Sequence, residues 1–225
     1  MPKTIIFDFA GTLIKPNIIE EANELRSSLI DRSIPSSQEH AHPKTLYKAN
    51  AQFVEKLTGL PATAKISYRK NDGERMMLTG EQVQQQISTT LFQIGAYVVA
   101  KKEGHNIFPQ GLHEVLEELV GKGHKIVIVS GIREDIISGM LAIAGCDLPF
   151  TIRGQPPILG IPNEENLLDL EQVDFVVGDK LSDLEPAKKL GAKTIFVTWG
   201  HASGGEEDVA DFVVSTPAEL KNVLL

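Results

Sequence analysis

Five short runs of consecutive apolar or β-branched residues limit what this chain can fold into. They are Thr4-Ile5-Ile6-Phe7, Lys125-Ile126-Val127-Ile128-Val129, Phe175-Val176-Val177, Lys193-Thr194-Ile195-Phe196-Val197 and Phe212-Val213-Val214. A strand with one wet face alternates apolar and polar residues. A continuously apolar strand is buried on both faces, as in a parallel sheet. Parallel neighbours need crossovers, and helical spacing fills the intervals. Leu112, Val115, Leu116 and Leu119 share one face of a stretch from Gly111 to Val120; Ile132 to Ala144 and Asp183 to Leu190 are similar, the last stopped by Gly191. The expected fold is α/β: a doubly wound, Rossmann-like parallel sheet with right-handed crossovers.

The alternation breaks after the first run. From Lys15 to about His105 the patterns are helical, over Ile18 to Ile30, Lys44 to Leu57 and Glu81 to Lys102. Turns are expected at Pro35, at Gly59-Leu60-Pro61 and near Asn71-Asp72-Gly73. Such an insertion after the first strand reads as a helical cap domain, residues 16–106, on a core made of residues 1–15 and 107–225. A chain of 225 residues is long enough to bury a core under either division.

The net charge of -8 argues against nucleic acid or an anionic membrane as a partner, yet a small site can still be locally positive. The single cysteine, Cys146, cannot form an internal disulfide and fits a reducing compartment. No stretch approaches the roughly 20 apolar residues of a membrane span. Met1-Pro2-Lys3-Thr4 leads into a strand without an apolar signal segment. The expected location is the cytoplasm; the sequence carries no signal for the oligomeric state.

Ligands of parallel sheets gather at the carboxyl ends of the strands. Three of the runs end in polar residues there, Asp8, Ser130 and Asp179, with Asp183 one helical turn further on. A single carboxylate in such a place is commonly a helix cap. Three convergent strand ends make a reactive site the better reading.

These residues carry a resemblance. Phe7-Asp8-Phe9-Ala10-Gly11-Thr12, Val129-Ser130-Gly131 and Gly178-Asp179-Lys180-Leu181-Ser182-Asp183 resemble the first, second and fourth motifs of the haloacid dehalogenase superfamily. The likeness continues through Glu185-Pro186-Ala187, Thr198-Trp199-Gly200 and Ala210-Asp211-Phe212, in the manner of phosphoglycolate-phosphatase-like members. The resemblance implies a hydrolase that transfers a phosphoryl group from a small phosphorylated metabolite to Asp8. It implies Mg²⁺ as cofactor, held by Asp8, the carbonyl of Ala10, Asp179 and Asp183. Ser130 and the amide of Gly131 would bind the transferring group. Thr12 is a further substrate-side candidate, although its turn position suits holding the loop.

Two positions depart from the family pattern. The aspartate that usually follows the nucleophile by two residues is Ala10, which can neither protonate a leaving group nor activate water. A positioned acid–base group is worth about 10²–10⁴ in rate. The third-motif lysine is also missing: the segment reads Arg153-Gly154-Gln155-Pro156-Pro157, and no lysine occurs between Lys125 and Lys180. Arg153 or Lys180 would supply the charge, and the planar guanidinium favours Arg153.

Three readings therefore stand: a Mg²⁺-dependent phosphatase, a phosphonatase-like C–P hydrolase using a cap lysine such as Lys44 or Lys48, and a degenerate member that binds a phosphorylated ligand or a protein. The phosphatase leads on the bulk of the resemblance, and clustered carboxylates, which repel one another, argue against a degenerate member. Weaker features read as structural. His40-Ala41-His42 suits a polar surface, His201 a loop that borders the site at most, and Cys146 a buried inert thiol. Tyr68-Arg69-Lys70 is either a substrate loop or a turn between cap helices.

Overall fold

The computed structural model describes residues 2–30, 59, 61, 63–69, 75–155 and 172–225. Lys44, Lys48, His40, His42, Pro35, Leu60, Lys70, the Asn71-Asp72-Gly73 turn, the helix expected over Lys44 to Leu57 and Pro156-Pro157 lie outside the described residues. Six strands form one parallel sheet: β1 (Thr4–Asp8), β4 (Lys125–Arg133), β5 (Thr151–Gln155), β6 (Phe175–Gly178), β7 (Lys193–Val197) and β8 (Phe212–Val214). Their order is β5-β4-β1-β6-β7-β8. The chain starts in the middle, builds outward through β4 and β5, then returns past β1 to add β6, β7 and β8. The reversal of order lies beside β1, and that is where the carboxyl ends of such a sheet open a crevice.

Burial follows the apolar runs. Ile5, Ile6, Phe7, Ile126, Val127, Ile128, Val176 and Val177 are all buried, on alternate faces of the sheet. One hydrophobic cluster joins Ile6, Val127, Val129, Val173 and Val176 to Ala187 and Ala192. Crossover helices cover the sheet: α3 (Leu112–Gly121), α4 (Glu134–Ile143), α5 (Leu181–Lys189), the single turn α6 (Glu206–Val209) and α7 (Pro217–Leu224). In α3 the buried residues are Leu112, Val115, Leu116 and Leu119, the face expected from their spacing. Thr216 caps α7 by accepting from the Glu219 amide at 3.2 Å, with Pro217 in the first turn. The lower end of β1 is tied in by the Thr4 amide donating to Asp174 Oδ2 at 2.7 Å and the Lys3 amide donating to His124 Nδ1 at 3.0 Å.

The chain divides into two compact units, Met1–Glu20 with Tyr97–Leu225, and Glu21–Ala96. The division falls inside two helices, α1 (Pro16–Ile30) and α2 (Gly80–Glu103). Within the second unit α1 and α2 meet at Gly95, where a Cβ would stand 3.1 Å from the Ala22 carbonyl oxygen, so a side chain there would push the helices apart by a few tenths of an ångström. Among the described helices none is long and apolar enough to cross a membrane.

Three sequence expectations are corrected. The inserted unit is not helical throughout: β2 (Lys65–Arg69) and β3 (Arg75–Thr79) form an antiparallel pair, so Tyr68 and Arg69 lie in a strand rather than in a loop or an inter-helix turn. Its alternation is faint, since buried Leu78 sits between exposed Met77 and Thr79. The strand through Val129 does not stop at Ser130-Gly131 but continues to Arg133, with a register shift between Val129 and Arg133. A sixth strand, β5, occupies one edge of the sheet, and it carries Arg153.

Candidate functional site

The site is built at the reversal point. Asp8 ends β1, and Asp179 follows Gly178 at the end of β6, the strand paired directly with β1. The chain then turns into α5, whose third residue is Asp183. One oxygen each from Asp8, Asp179 and Asp183 lies within 4.8 Å of the other two. Residues 171 positions apart in sequence meet because Phe7 pairs with Val177 in register.

Asp179 is fully buried. The Thr12 hydroxyl donates to its Oδ1 at 3.3 Å, and the His201 amide donates to its Oδ2 at 2.6 Å. Two glycines press on the same carboxylate. Gly11 has φ +91°, and a Cβ there would collide with Asp179 Oδ2; a Cβ at Gly200 would collide with the Asp179 side chain from the loop after β7. Asp183 is held by its own helix start, where the Lys180 amide donates to Oδ2 at 3.1 Å. The turn after Asp8 is closed by the Leu13 and Ile14 amides donating to the Phe9 carbonyl at 3.1 and 3.0 Å. Trp199 Nε1 braces the turn by donating to the Thr12 carbonyl at 3.0 Å.

Crowding and burial raise the proton affinity of Asp8 and Asp183. Asp8 is pushed well above the usual carboxylate range by burial and then by repulsion from Asp183 and Asp179, against the opposing pull of the Phe9 amide and the Lys180 ammonium. Asp183 is pushed up to about 6, again by burial first and Asp179 second. A divalent cation would relieve this repulsion. The donors are all carboxylate oxygens, the ligand type of hard ions such as Mg²⁺. The residues therefore fit a Mg²⁺ site.

The remaining candidates fall around this centre at different distances. Asp8 pairs with Val129, so Ser130 lies one residue above the Asp8 level on the adjacent strand. Ser130 is buried, and its Oγ accepts from the Ile132 amide at 3.2 Å. Gly131 follows it, exposed, on the upper part of β4. Ala10 lies in the turn and forms an isolated bridge with Ile14. Thr12 is buried against Asp179. Lys180 stands directly between Asp179 and α5, and its charge acts on Asp8, Asp183 and His201. Arg153 pairs with Val129 and hence shares the level of Asp8, but two strands away on β5, about 10 Å between backbones.

His201 is nearer the centre than its sequence suggests. Beyond its amide bond to Asp179, its Nδ1 lies 3.9 Å from Asp179 Oδ2 and its Nε2 3.6 Å from Glu20 Oε1. Burial pushes the imidazole below its usual pKa, Lys180 adds to that, and the two carboxylates oppose it. The one sequence signal for His201 was its place just past the end of a strand, after Thr198-Trp199-Gly200.

Comparison with known proteins identifies the family. A phosphoglycolate phosphatase from Aquifex aeolicus (strain VF5) is 26% identical over 118 residues, 48% of this chain and 55% of that protein. The chain thus spans about half the length of the curated relative it matches. Among solved structures, a haloacid dehalogenase-like family hydrolase from Streptococcus pneumoniae has a TM-score of 0.64 at 16% identity, covering 100% of this chain and 99% of that one. A phosphoserine phosphohydrolase-like protein from Francisella tularensis subsp. tularensis SCHU S4 has a TM-score of 0.58 at 19% identity, covering 99% and 100%. At such identities these two structures speak to the fold alone. The family model for haloacid dehalogenase-like hydrolases matches residues 2–191, most of the chain, and the protein belongs to that family.

Proposed function

We propose that this chain is a cytoplasmic, Mg²⁺-dependent phosphatase of a small phosphorylated metabolite, with Asp8 as nucleophile. The observation that carries the reading is the convergence of Asp8, Asp179 and Asp183 within 4.8 Å at the reversal point of the sheet. The similarity to a phosphoglycolate phosphatase supports a phosphomonoester as the substrate class.

In this reading an Asp8 carboxylate oxygen attacks phosphorus while the P–O bond to the leaving oxygen breaks; that oxygen takes its proton from water, Ala10 having none to give, and an acyl phosphate remains on Asp8. Water then attacks phosphorus, inorganic phosphate departs, and the carboxylate is restored. Asp8, Asp179, Asp183 and the Ala10 carbonyl would hold Mg²⁺, which when bound supplies charge neutralisation for the carboxylates and the phosphoryl oxygens. Ser130 and the Gly131 amide would donate to the transferring group, and Lys180 or Arg153 would add positive charge. Thr12 and the amide of His201 keep Asp179 in place, so the ligand geometry does not depend on the incoming substrate.

The test is phosphate release with Mg²⁺ across a panel of phosphorylated metabolites and phosphonoacetaldehyde, comparing wild type with Asp8→Asn. Phosphomonoester turnover that disappears in Asp8→Asn is the expected result. Turnover of phosphonoacetaldehyde alone, or activity that survives Asp8→Asn, would refute the proposal.

A further inference from the structure

Ala10 leaves one side of the reaction centre without a polar side chain, and another residue occupies the neighbouring space. The point at which a Gly11 Cβ would lie is 2.9 Å from His201 Nδ1, so the imidazole rests directly over the Ala10-Gly11 turn. Its backbone is fixed there by the 2.6 Å bond from the His201 amide to Asp179. Gly200 makes that seat possible, because the loop after β7 touches the Asp179 side chain at a residue with no Cβ.

The ring itself is unsatisfied. Nδ1 at 3.9 Å from Asp179 and Nε2 at 3.6 Å from Glu20 are both beyond hydrogen-bond length. Both ring nitrogens are shielded from solvent and have no hydrogen-bond partner among the described residues. A neutral imidazole carries one donor and one acceptor, and shielding both without partners is unfavourable unless a ligand completes them.

We propose that His201 is a substrate-contacting residue, its ring hydrogen-bonded to an oxygen of the phosphoryl group on the side where Ala10 offers nothing. The contact rests on the phosphoryl-transfer reading above. It requires no change of charge on the ring and no covalent step.

The experiment is a titration of histidine-labelled wild-type protein with inorganic phosphate in the presence of Mg²⁺, followed by ring carbon–proton NMR. The His201 signals are identified by their loss in His201→Gln. They are expected to shift in step with phosphate saturation, while those of His105, His113 and His124 stay in place. Phosphate affinity, measured by calorimetry, is expected to fall about tenfold or more in His201→Ala, the size of effect found for a hydrogen bond to a charged group. His201→Asn, which keeps a donor and an acceptor, is expected to recover part of it. If phosphate binds while the His201 signals stay still, or if His201→Ala binds it as tightly as wild type, the inference is wrong and the phosphatase reading survives. If the wild-type protein takes up no phosphate with Mg²⁺, both are wrong together. The ring signals come from the wild-type protein, so a variant that folds poorly does not remove the test.

Discussion

Gly200→Ala is the most informative single change, because the structure fixes its consequence in ångströms. The new methyl would collide with Asp179 Cβ and stand 2.5 Å from its Oδ2 and 2.6 Å from its Cγ. Ordinary contact begins at about 3.5 Å, so the carboxyl must retreat by roughly 1 Å or the loop after β7 must lift. Asp179 has no room to retreat on the other side, where Gly11 packs against the same carboxylate. Overpacking of this kind costs about 1–3 kcal/mol. In a chain of this size that lowers the melting temperature by roughly 2–4 °C per kcal/mol. The larger effect is expected on metal binding, since ligand distances tolerate only about 0.2 Å. Calorimetric Mg²⁺ titration of Gly200→Ala should therefore show at least a tenfold weaker site, roughly 1.4 kcal/mol. Thermal melts should show the stabilisation by Mg²⁺ shrinking in parallel. A variant that binds Mg²⁺ as wild type does and melts at the same temperature would refute the argument that the two glycines define the position of Asp179.

Three further outcomes follow from the same geometry. Lys180→Met should lower kcat/KM by roughly tenfold, the effect of losing about 1.4 kcal/mol of favourable charge, and Arg153→Met by less, because the Lys180 charge acts on Asp8 and Asp183 whereas Arg153 sits two strands away; equal losses would reverse the assignment. Ala10→Asp should raise kcat on a phosphomonoester, by no more than the roughly 10²–10⁴ of a positioned acid–base group, and an unchanged or lower kcat would mean that the turn cannot aim a carboxyl at the leaving oxygen. Asp211 accepts the Thr194 amide at 2.7 Å and its hydroxyl at 2.9 Å, bonds that hold its pKa below the usual carboxylate value. The folded state then binds protons less readily than the unfolded one, so this stabilisation is present above the unfolded pKa of about 3.9 and is lost as pH falls through the lower folded value. The gap in urea midpoint between wild type and Asp211→Asn should narrow as pH drops below about 4; a gap that stays constant with pH would contradict it.

Much of the core was legible because its strands are buried on both faces. Thr4 to Phe7 and Phe175 to Val177 could be read as strands from their residues alone, and each delivers a carboxylate where it ends. What the sequence hid follows one physical pattern. Thr151-Ile152-Arg153-Gly154-Gln155 is an edge strand in which Thr151 is exposed and Ile152, Arg153 and Gly154 are only partly buried, and it has no apolar run to mark it. The β2–β3 pair is similar: Lys65, Ser67, Met77 and Thr79 are exposed, so the period of two is carried by few residues. Of the site, Asp8 and Asp179 stood out through their strand ends and Asp183 through its place one helical turn beyond, whereas His201 did not. A histidine in a loop has no periodicity to betray it, and its closeness to Asp179 arises from tertiary packing at Gly200 and Gly11.

The central position of β1 also sets the order in which this protein can acquire its structure. Both neighbours of β1 come from far along the chain: Asp8 pairs with Val129, and Ile5 with Phe175. Of the strands in this sheet β1 is synthesised before the others, and it has no partner until more than half of the chain has followed it. Between Asp8 and Lys125 lie 117 steps along the chain, of which the unit Glu21–Ala96 contributes 76, so its removal would leave 41. Loop-closure entropy grows only with the logarithm of length, and lengthening this connection from 41 to 117 steps costs about 1 kcal/mol. The thermodynamic penalty for carrying an inserted domain at this point is thus small. The kinetic one is not, since such long-range pairings slow folding. A nascent chain arrested before Phe175 would expose one whole side of β1, an apolar strand waiting for β6 and a natural client for a chaperone.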